Sequence, residues 1–327
     1  MKRTFLILTF LIVSIIGILT LTSEAGFSEF ENRNLAPLPK LTVKSALSGD
    51  FQKDFESAVD DNIPHKEKMK TLNSYIETVL GSRTIDDIYI GKNELIQKPL
   101  KNSRLMPIIK KRENYKNLSV YLIPYKLYYA ELPVSLKKSG IDKNYKASFD
   151  KWSGYSDIDF RKILTIDDYY KSDHHLNEKG AEKILSAFGI NEYQISESFG
   201  EFRGSESRKS GLIKKDTFIA VYDKNTIDLT FTTEIGGKTT DEKIVDFNRT
   251  AKIDKYLCYM GGNYPELDIK GKGDKSLLLL KDSFANPYIG FFAERYGDIK
   301  VIDTRFFSGN FEALIEKYDK SIIITGI

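Results

Sequence analysis

Leu277-Leu278-Leu279-Leu280-Lys281-Asp282-Ser283 is the stretch that decides the fold. Four consecutive leucines show no alternation, so neither face of the strand they form turns to water. Such a strand belongs in a parallel sheet covered on both sides. Polar residues end it, and a helix is expected from Pro287 to Arg295. The pattern then repeats. Ile299-Lys300-Val301-Ile302 reads as a strand, a helix follows around Phe311 to Tyr318, and Ile322-Ile323-Ile324 is another apolar strand. Upstream, Val120-Tyr121-Leu122-Ile123 is a buried strand closed by Pro124. Strands alternating with helices indicate an α/β protein with a parallel sheet.

Working outward, Phe51, Phe55 and Val59 recur at helical spacing. After Pro64 a second helix presents Met69, Leu72, Tyr75, Ile76 and Val79 on one face. Ile88-Tyr89-Ile90 and Leu95-Ile96 flank Gly91-Lys92-Asn93-Glu94 as a hairpin. Asn177 caps a helix containing Ala181, Ile184, Leu185 and Phe188, which Gly189 stops. Residues of about 205–262 are strand-rich and read as an insertion. Residues 26–46 are polar and carry Pro37 and Pro39, as expected of an extended linker. The α/β domain is expected over 47–327.

Residues 1–25 read as a signal or membrane anchor. Lys2 and Arg3 precede an apolar run from Thr4 to Thr22. A signal core needs about 7–15 residues and a spanning helix about 20, so the run favours a retained anchor. Ser23-Glu24-Ala25 leaves cleavage and secretion open. The positive flank places the remaining chain outside the cytoplasm.

Composition narrows the chemistry. The chain has 327 residues, and its 12% aromatic content can build a sizeable core. Lysine and arginine number 49 and acidic residues 46, a balance that gives no footprint for nucleic acid. A lone Cys258 excludes a disulfide framework and a cysteine-rich metal site. Any imidazole chemistry must come from His65, His174 or His175.

Two constellations carry candidate chemistry. Ser283 follows an apolar strand and precedes a helix, where open parallel sheets bind ligands. A serine nucleophile needs a base. Asp173, two residues before His175, can orient that imidazole and leave its other nitrogen for a serine. The same features have plainer readings. Ser283 fits a helix cap, and Asp173-His174-His175 fits solvated histidines or two zinc ligands lacking a third. His65 and Cys258 read as structural, Trp152 as packing, and Asp282 as a cap or substrate contact.

At these residues the chain resembles the DHHW proteins of Gram-positive bacteria. The matching motifs are Asn32-Arg33-Asn34-Leu35-Ala36-Pro37-Leu38-Pro39, Ile88-Tyr89-Ile90-Gly91-Lys92-Asn93, Asp173-His174-His175-Leu176, Gly262-Asn263, Lys281-Asp282-Ser283-Phe284-Ala285 and Asp303-Thr304-Arg305-Phe306-Phe307. They run in family order from about residue 31 to the end. One departure is Leu176, where the family has Trp. The family is similar to the SGNH-hydrolase-like proteins of alginate O-acetylation. The resemblance implies a three-layer α/β/α SGNH-like fold. It implies Ser283 as nucleophile, His175 as base and Asp173 as orienting acid, with Arg305, Asn263 and His174 at the substrate or oxyanion side.

The expected function is extracytoplasmic O-acetyl transfer or acetyl-ester hydrolysis on a cell-wall or exopolysaccharide glycan, without metal or organic cofactor. The resemblance implies a membrane-bound O-acyltransferase as acetyl donor. The alternative is a non-catalytic surface protein that binds or assembles polysaccharide.

Overall fold

The computed structural model describes Leu11, Ser14, Gly17, Ile18, Thr20, Thr22 and residues 26–31, 33–99 and 104–327. Most of the apolar run expected to form an anchor lies outside these residues, as does Asn32 of the first family motif. Among the described residues no helix is long and apolar enough to cross a membrane.

The chain forms two compact units. One comprises Met1–Ser82 with Arg208–Ile213; the other comprises Arg83–Ser207 with Lys214–Ile327. In the first, a short hairpin pairs Phe27–Ser28 with Arg33–Asn34, and helices Val43–Ser48, Asp50–Asn62 and Lys66–Val79 follow. Arg33 forks onto Asp61, which also accepts the Ala36 N–H. The segment read as a linker is therefore tied down at this motif arginine. Helix Lys66–Val79 turns Met69, Leu72, Ile76 and Val79 outward, and its buried residue is Ser74.

The second unit is built on a seven-stranded sheet. In chain order its strands are β1 (Leu118–Ile123), β2 (Thr230–Ile235), β3 (Lys238–Lys243), β4 (Glu266–Lys270), β5 (Leu277–Lys281), β6 (Asp298–Asp303) and β7 (Lys320–Gly326). Their spatial order is β3-β2-β4-β6-β5-β7-β1. The four strands β6, β5, β7 and β1 are mutually parallel. The other three are antiparallel to their neighbours. The expected parallel sheet is thus corrected to a mixed one. β2 and β3 come from the strand-rich stretch and extend this same sheet. β2 buries Phe231 between exposed threonines and β3 is polar throughout, as suits strands that are not covered on both faces.

The leucines of β5 divide between the two faces. Leu277 and Leu279 pack with Val301, Ile322 and Ile324 and with helices Glu178–Ala187 and Ile289–Arg295. Leu278 and Leu280 pack with Val120, Leu122 and Ile323, against Ile108, Phe149 and Ile315 from helices on the opposite face. All four leucines are fully buried. Burying one such side chain contributes about 1.5–3 kcal/mol, so β5 anchors both hydrophobic layers.

The topology gathers the interesting residues at one edge. The carboxyl ends of the parallel strands lead into Lys126 after β1, Ser283 after β5, Arg305 after β6 and Thr325 in β7. From β5 the chain crosses to β6 on one side, and from β6 it returns to β7 on the other. That reversal opens a crevice at the ends of these strands, the usual ligand position in such sheets. Because β4 runs antiparallel to β6, its beginning lies at this same edge. This brings in Asn263.

Candidate active site

Ser283 opens a short 3-10 helix, Ser283–Tyr288, immediately beyond β5. Asp282 fixes that turn. Its Oδ1 accepts the Phe284 N–H at 2.9 Å, and its Oδ2 accepts from Thr325 Oγ1 and the Gly326 N–H, each at 2.8 Å. The Asp282 side chain is therefore turned to β7 and the cap, and Ser283 is held by its backbone.

The partner loop is shaped by its own neighbours. Tyr169 bridges Leu176 across it. Asn177 caps helix Glu178–Ala187 by accepting the Gly180 N–H at 3.1 Å. Ser172 is tied to Asp216 by its N–H at 2.8 Å and its hydroxyl at 2.6 Å. Between these ties, Asp173 Oδ1 lies 2.6 Å from His175 Nδ1 and also accepts the His175 N–H at 3.0 Å. Asp173 Oδ2 accepts the Ser205 N–H at 2.6 Å. His175 Nε2 lies 2.9 Å from Ser283 Oγ. With Nδ1 donating to the carboxylate, Nε2 is an acceptor for the serine hydroxyl. Carboxylate, imidazole and hydroxyl thus form one continuous hydrogen-bonded chain, with Ser283 only 7% and His175 6% exposed.

Tyr256 holds the imidazole from one side. Its ring stacks on His175 with centroids 3.8 Å apart and planes 9° from parallel. Its hydroxyl donates to the Ser283 carbonyl oxygen at 3.1 Å. Leu176, at the family's Trp position, is buried in the core next to this loop.

Charge on this loop is set by competing effects. Burial opposes the Asp173 carboxylate, yet His175, His174 and the Ser205 N–H together hold it well below the usual carboxylate range. For His174, burial comes first and the neighbouring His175 second, and they push it down to about 3. His174 is therefore neutral near pH 7, with Nδ1 placed 3.1 Å from Ser205 Oγ.

Asp173, His174 and His175 bring ligand-type atoms within 4.8 Å of one another. A cation there would displace existing hydrogen bonds. Both ring nitrogens of His175 are engaged, and His174 Nδ1 faces Ser205. No third imidazole or cysteine joins them among the described residues, and the donor set fits zinc poorly.

Arg305 and Asn263 lie together on the side formed by β6 and β4. Arg305 Nε and Nη2 fork onto Asp303 Oδ1 and Oδ2 at 2.9 and 2.7 Å, and Nη2 reaches Asn263 Oδ1 at 2.9 Å. Asp303 is fully buried and lies 3.4 Å from the buried Lys281 Nζ. Burial works against the Asp303 charge, but Arg305 and Lys281 hold its carboxyl below the usual range. The Arg305 side chain keeps 30% of its surface exposed while Nε and Nη2 are held.

The remaining sequence candidates lie elsewhere. His65 begins helix Lys66–Val79 with a left-handed backbone, φ 59°, in the first unit. Cys258 is fully buried, and burial pushes its thiol well up. Trp152 packs against Tyr155 with Lys110 over its ring. Sequence reading missed Tyr256, Ser205, Lys126 and Glu206. Only Gly204-Ser205, a small residue before a capping residue, carried a local signal for the start of helix Ser205–Ser210.

No protein-family profile matches the chain, and no curated protein matches it. Solved structures match in fold. Bacillus cereus PatB1 with a sulfonyl adduct superposes with a TM-score of 0.52 at 17% identity, covering 73% of this chain and 93% of that one. PatB1 in a second structure gives 0.50 at 17% identity, over 73% and 95%. A DHHW family protein from Eubacterium siraeum gives 0.49 at 16% identity, over 73% and 89%. The chain shares the mixed α/β fold of PatB1.

Proposed function

We propose that the chain is a serine acyl-transfer enzyme, an O-acetyltransferase or acetylesterase. One observation carries the reading: the unbroken chain from Asp173 through His175 to Ser283, at 2.6 and 2.9 Å. Each distance is within proton-transfer reach.

Ser283 Oγ attacks an acetyl carbonyl carbon while His175 Nε2 takes the hydroxyl proton. Asp173 holds the imidazole and stabilises the imidazolium. The tetrahedral intermediate collapses, and the leaving alcohol departs with the proton from His175. This leaves an acetyl-serine. A sugar hydroxyl, or water in the hydrolytic variant, then attacks that ester and gives its proton to His175. Ser283 leaves with the proton returned. Arg305, held by Asn263 Oδ1, supplies positive charge beside the developing oxyanion. His174 stays neutral and lines the substrate side.

The acceptor in this reading is a cell-wall or exopolysaccharide glycan outside the cytoplasm. A membrane-bound O-acyltransferase supplies the acetyl group, and the apolar run before residue 23 anchors the chain. The family resemblance and the run itself support these points.

The test is direct. The purified chain is mixed with an activated acetate ester, and acetyl mass on Ser283 is followed with turnover. The reading expects a burst of acetylation in the wild type and none in Ser283→Ala. Equal turnover by both proteins, with no acetyl group on Ser283, would sink it and favour a binding role.

A further inference from the structure

Next to the Asp173–His175 pair lies a buried ion pair for which the proposed chemistry has no use. Lys126 Nζ donates to the carbonyl oxygens of Asp173, at 2.6 Å, and Tyr170, at 2.8 Å. Its counter-charge is the Glu206 carboxylate. Both residues are 1% exposed. Glu206 also accepts the Gln97 N–H. One pair therefore joins four separate segments: the hairpin strand Leu95–Gln97, the turn after β1, the Tyr170–His175 loop and the start of helix Ser205–Ser210.

Stability gives little reason for two charges to be buried here. Desolvation opposes them, and apolar residues of similar volume often replace such a pair without loss. Their connections give a better reason. Lys126 grips the backbone carbonyl of Asp173. Glu206 directly follows Ser205, whose N–H is bonded to Asp173 Oδ2. The pair thus controls both ends of Asp173, its main chain and its carboxylate, without touching the reacting atoms.

We infer that Lys126 and Glu206 are positioning residues of the acyl-transfer site. Together they fix the Asp173 backbone and the Ser205 N–H so that the carboxylate holds His175 toward Ser283. This rests on the reading of Ser283 as nucleophile.

Methanesulfonyl fluoride is the probe, a choice suggested by the sulfonyl adduct of one fold neighbour. The Ser283 Oγ–S bond forms as fluoride leaves, and the hydroxyl proton passes to His175. Labelling rates are read by mass spectrometry on the full chain, beside each protein's unfolding midpoint. The double variant Lys126→Met/Glu206→Leu is expected to stay folded in the assay with a lowered midpoint, because the Tyr170 and Asp173 carbonyls and the Gln97 N–H lose these partners. Its labelling slows by about 10- to 100-fold, as expected when a catalytic group is misplaced by about 1 Å. Glu206→Gln keeps one acceptor oxygen and sets its NH2 against either Lys126 Nζ or the Gln97 N–H, so its labelling rate is expected to fall between those of wild type and the double variant. The downfield proton resonance of His175 Nδ1 is expected in the wild type and lost to exchange in the double variant.

A folded double variant that labels at the wild-type rate and keeps that resonance overturns the positioning role. So does slowing that merely follows the unfolded fraction. If the double variant does not fold, Lys126→Met alone decides by the same criteria. Burial raises the Glu206 carboxyl and Lys126 lowers it, so removing Lys126 lets Glu206 take a proton. Equal labelling of wild type and Ser283→Ala is a different failure. It removes the nucleophile, while the His175 resonance still reports on positioning.

Discussion

Gly204 leaves empty the space that Asp173 fills. A Cβ on Gly204 would lie 2.3 Å from Asp173 Cβ, 2.6 Å from the Ser172 carbonyl oxygen and 2.8 Å from Asp173 Oδ2. The obstacles are backbone and a short, fully engaged side chain, so neither can move aside cheaply. Gly204 also donates its N–H to Ser172 Oγ at 3.0 Å, and the next N–H serves Asp173. Gly204→Ala should therefore cost about 1–3 kcal/mol through overpacking. It should also slow acetylation of Ser283 by about tenfold or more by moving the Ser205 donor. Denaturant unfolding and the acetylation burst measure the two effects. A variant that matches wild type in both would show that the close approach relaxes freely.

The three members of the hydrogen-bonded chain should act as a unit. Ser283→Ala or His175→Ala should each reduce acyl transfer by about ten-thousandfold or more, and Asp173→Asn by a similar order through loss of the correct tautomer. Combining Ser283→Ala with His175→Ala should cost no more than one alone. Steady-state kinetics on an acetate ester give these ratios. Additive losses in the double variant would mean that His175 does not work through Ser283.

His174 predicts a specific acid response. An unfolded chain protonates this histidine near pH 6.5, whereas burial in the native loop holds it down to about 3. Between those values the unfolded state binds a proton that the native state does not. Stability must then fall as pH drops from about 6.5 toward about 3, by at most about 1.4 kcal/mol per pH unit from this group. His174→Gln removes the term. Urea midpoints of wild type and variant at pH 7 and near pH 4.5 should converge in the wild type's disfavour. Parallel curves would show that His174 titrates normally.

These sites differ in how far the sequence reveals them. The core of the fold is readable because Leu277 to Leu280 allow only a strand buried on both faces. Ser283 is readable as the first residue beyond that strand's polar end, and Asp173 with His175 through a local two-residue spacing. The antiparallel half of the sheet is not readable. Thr230–Ile235 and Lys238–Lys243 are polar strands, and only long-range pairing such as Phe231 with Ile269 draws them into the sheet. Lys126, Glu206 and Tyr256 are hidden for the same reason. Lys126 meets Asp173 47 residues away, and Tyr256 meets Ser283 27 residues away. A lone buried lysine, glutamate or tyrosine carries no local pattern that announces such a partner.

Tyr256 should separate stacking from hydrogen bonding. Tyr256→Phe keeps the ring parallel to His175 and loses only the hydroxyl donated to the Ser283 carbonyl. That exchange should cost about 1 kcal/mol and a few-fold in rate. Tyr256→Ala removes the ring as well, at about 3–5 kcal/mol for the cavity, and frees the imidazole to turn. The rate should then fall much further than in Tyr256→Phe. Equal rates in Phe and Ala variants that are both folded would show that the stacked ring does not hold His175.

Arg305 tests whether a fixed fork or a bare positive charge is required. Its two bonds to Asp303 and one to Asn263 use the planar geometry of a guanidinium, which an ammonium cannot reproduce. Arg305→Lys keeps the charge but loses the bidentate hold, so the cation no longer has a set position at the site. Asp303 keeps the buried Lys281 nearby, which limits the damage to folding. Both Arg305→Lys and Arg305→Met should therefore fold and lose about 10²–10³-fold in kcat, the scale for removing one oxyanion donor. Their rates should lie within a few-fold of each other. If Arg305→Lys instead retained most of the wild-type kcat, charge alone would suffice and the Asp303 fork would serve only the fold.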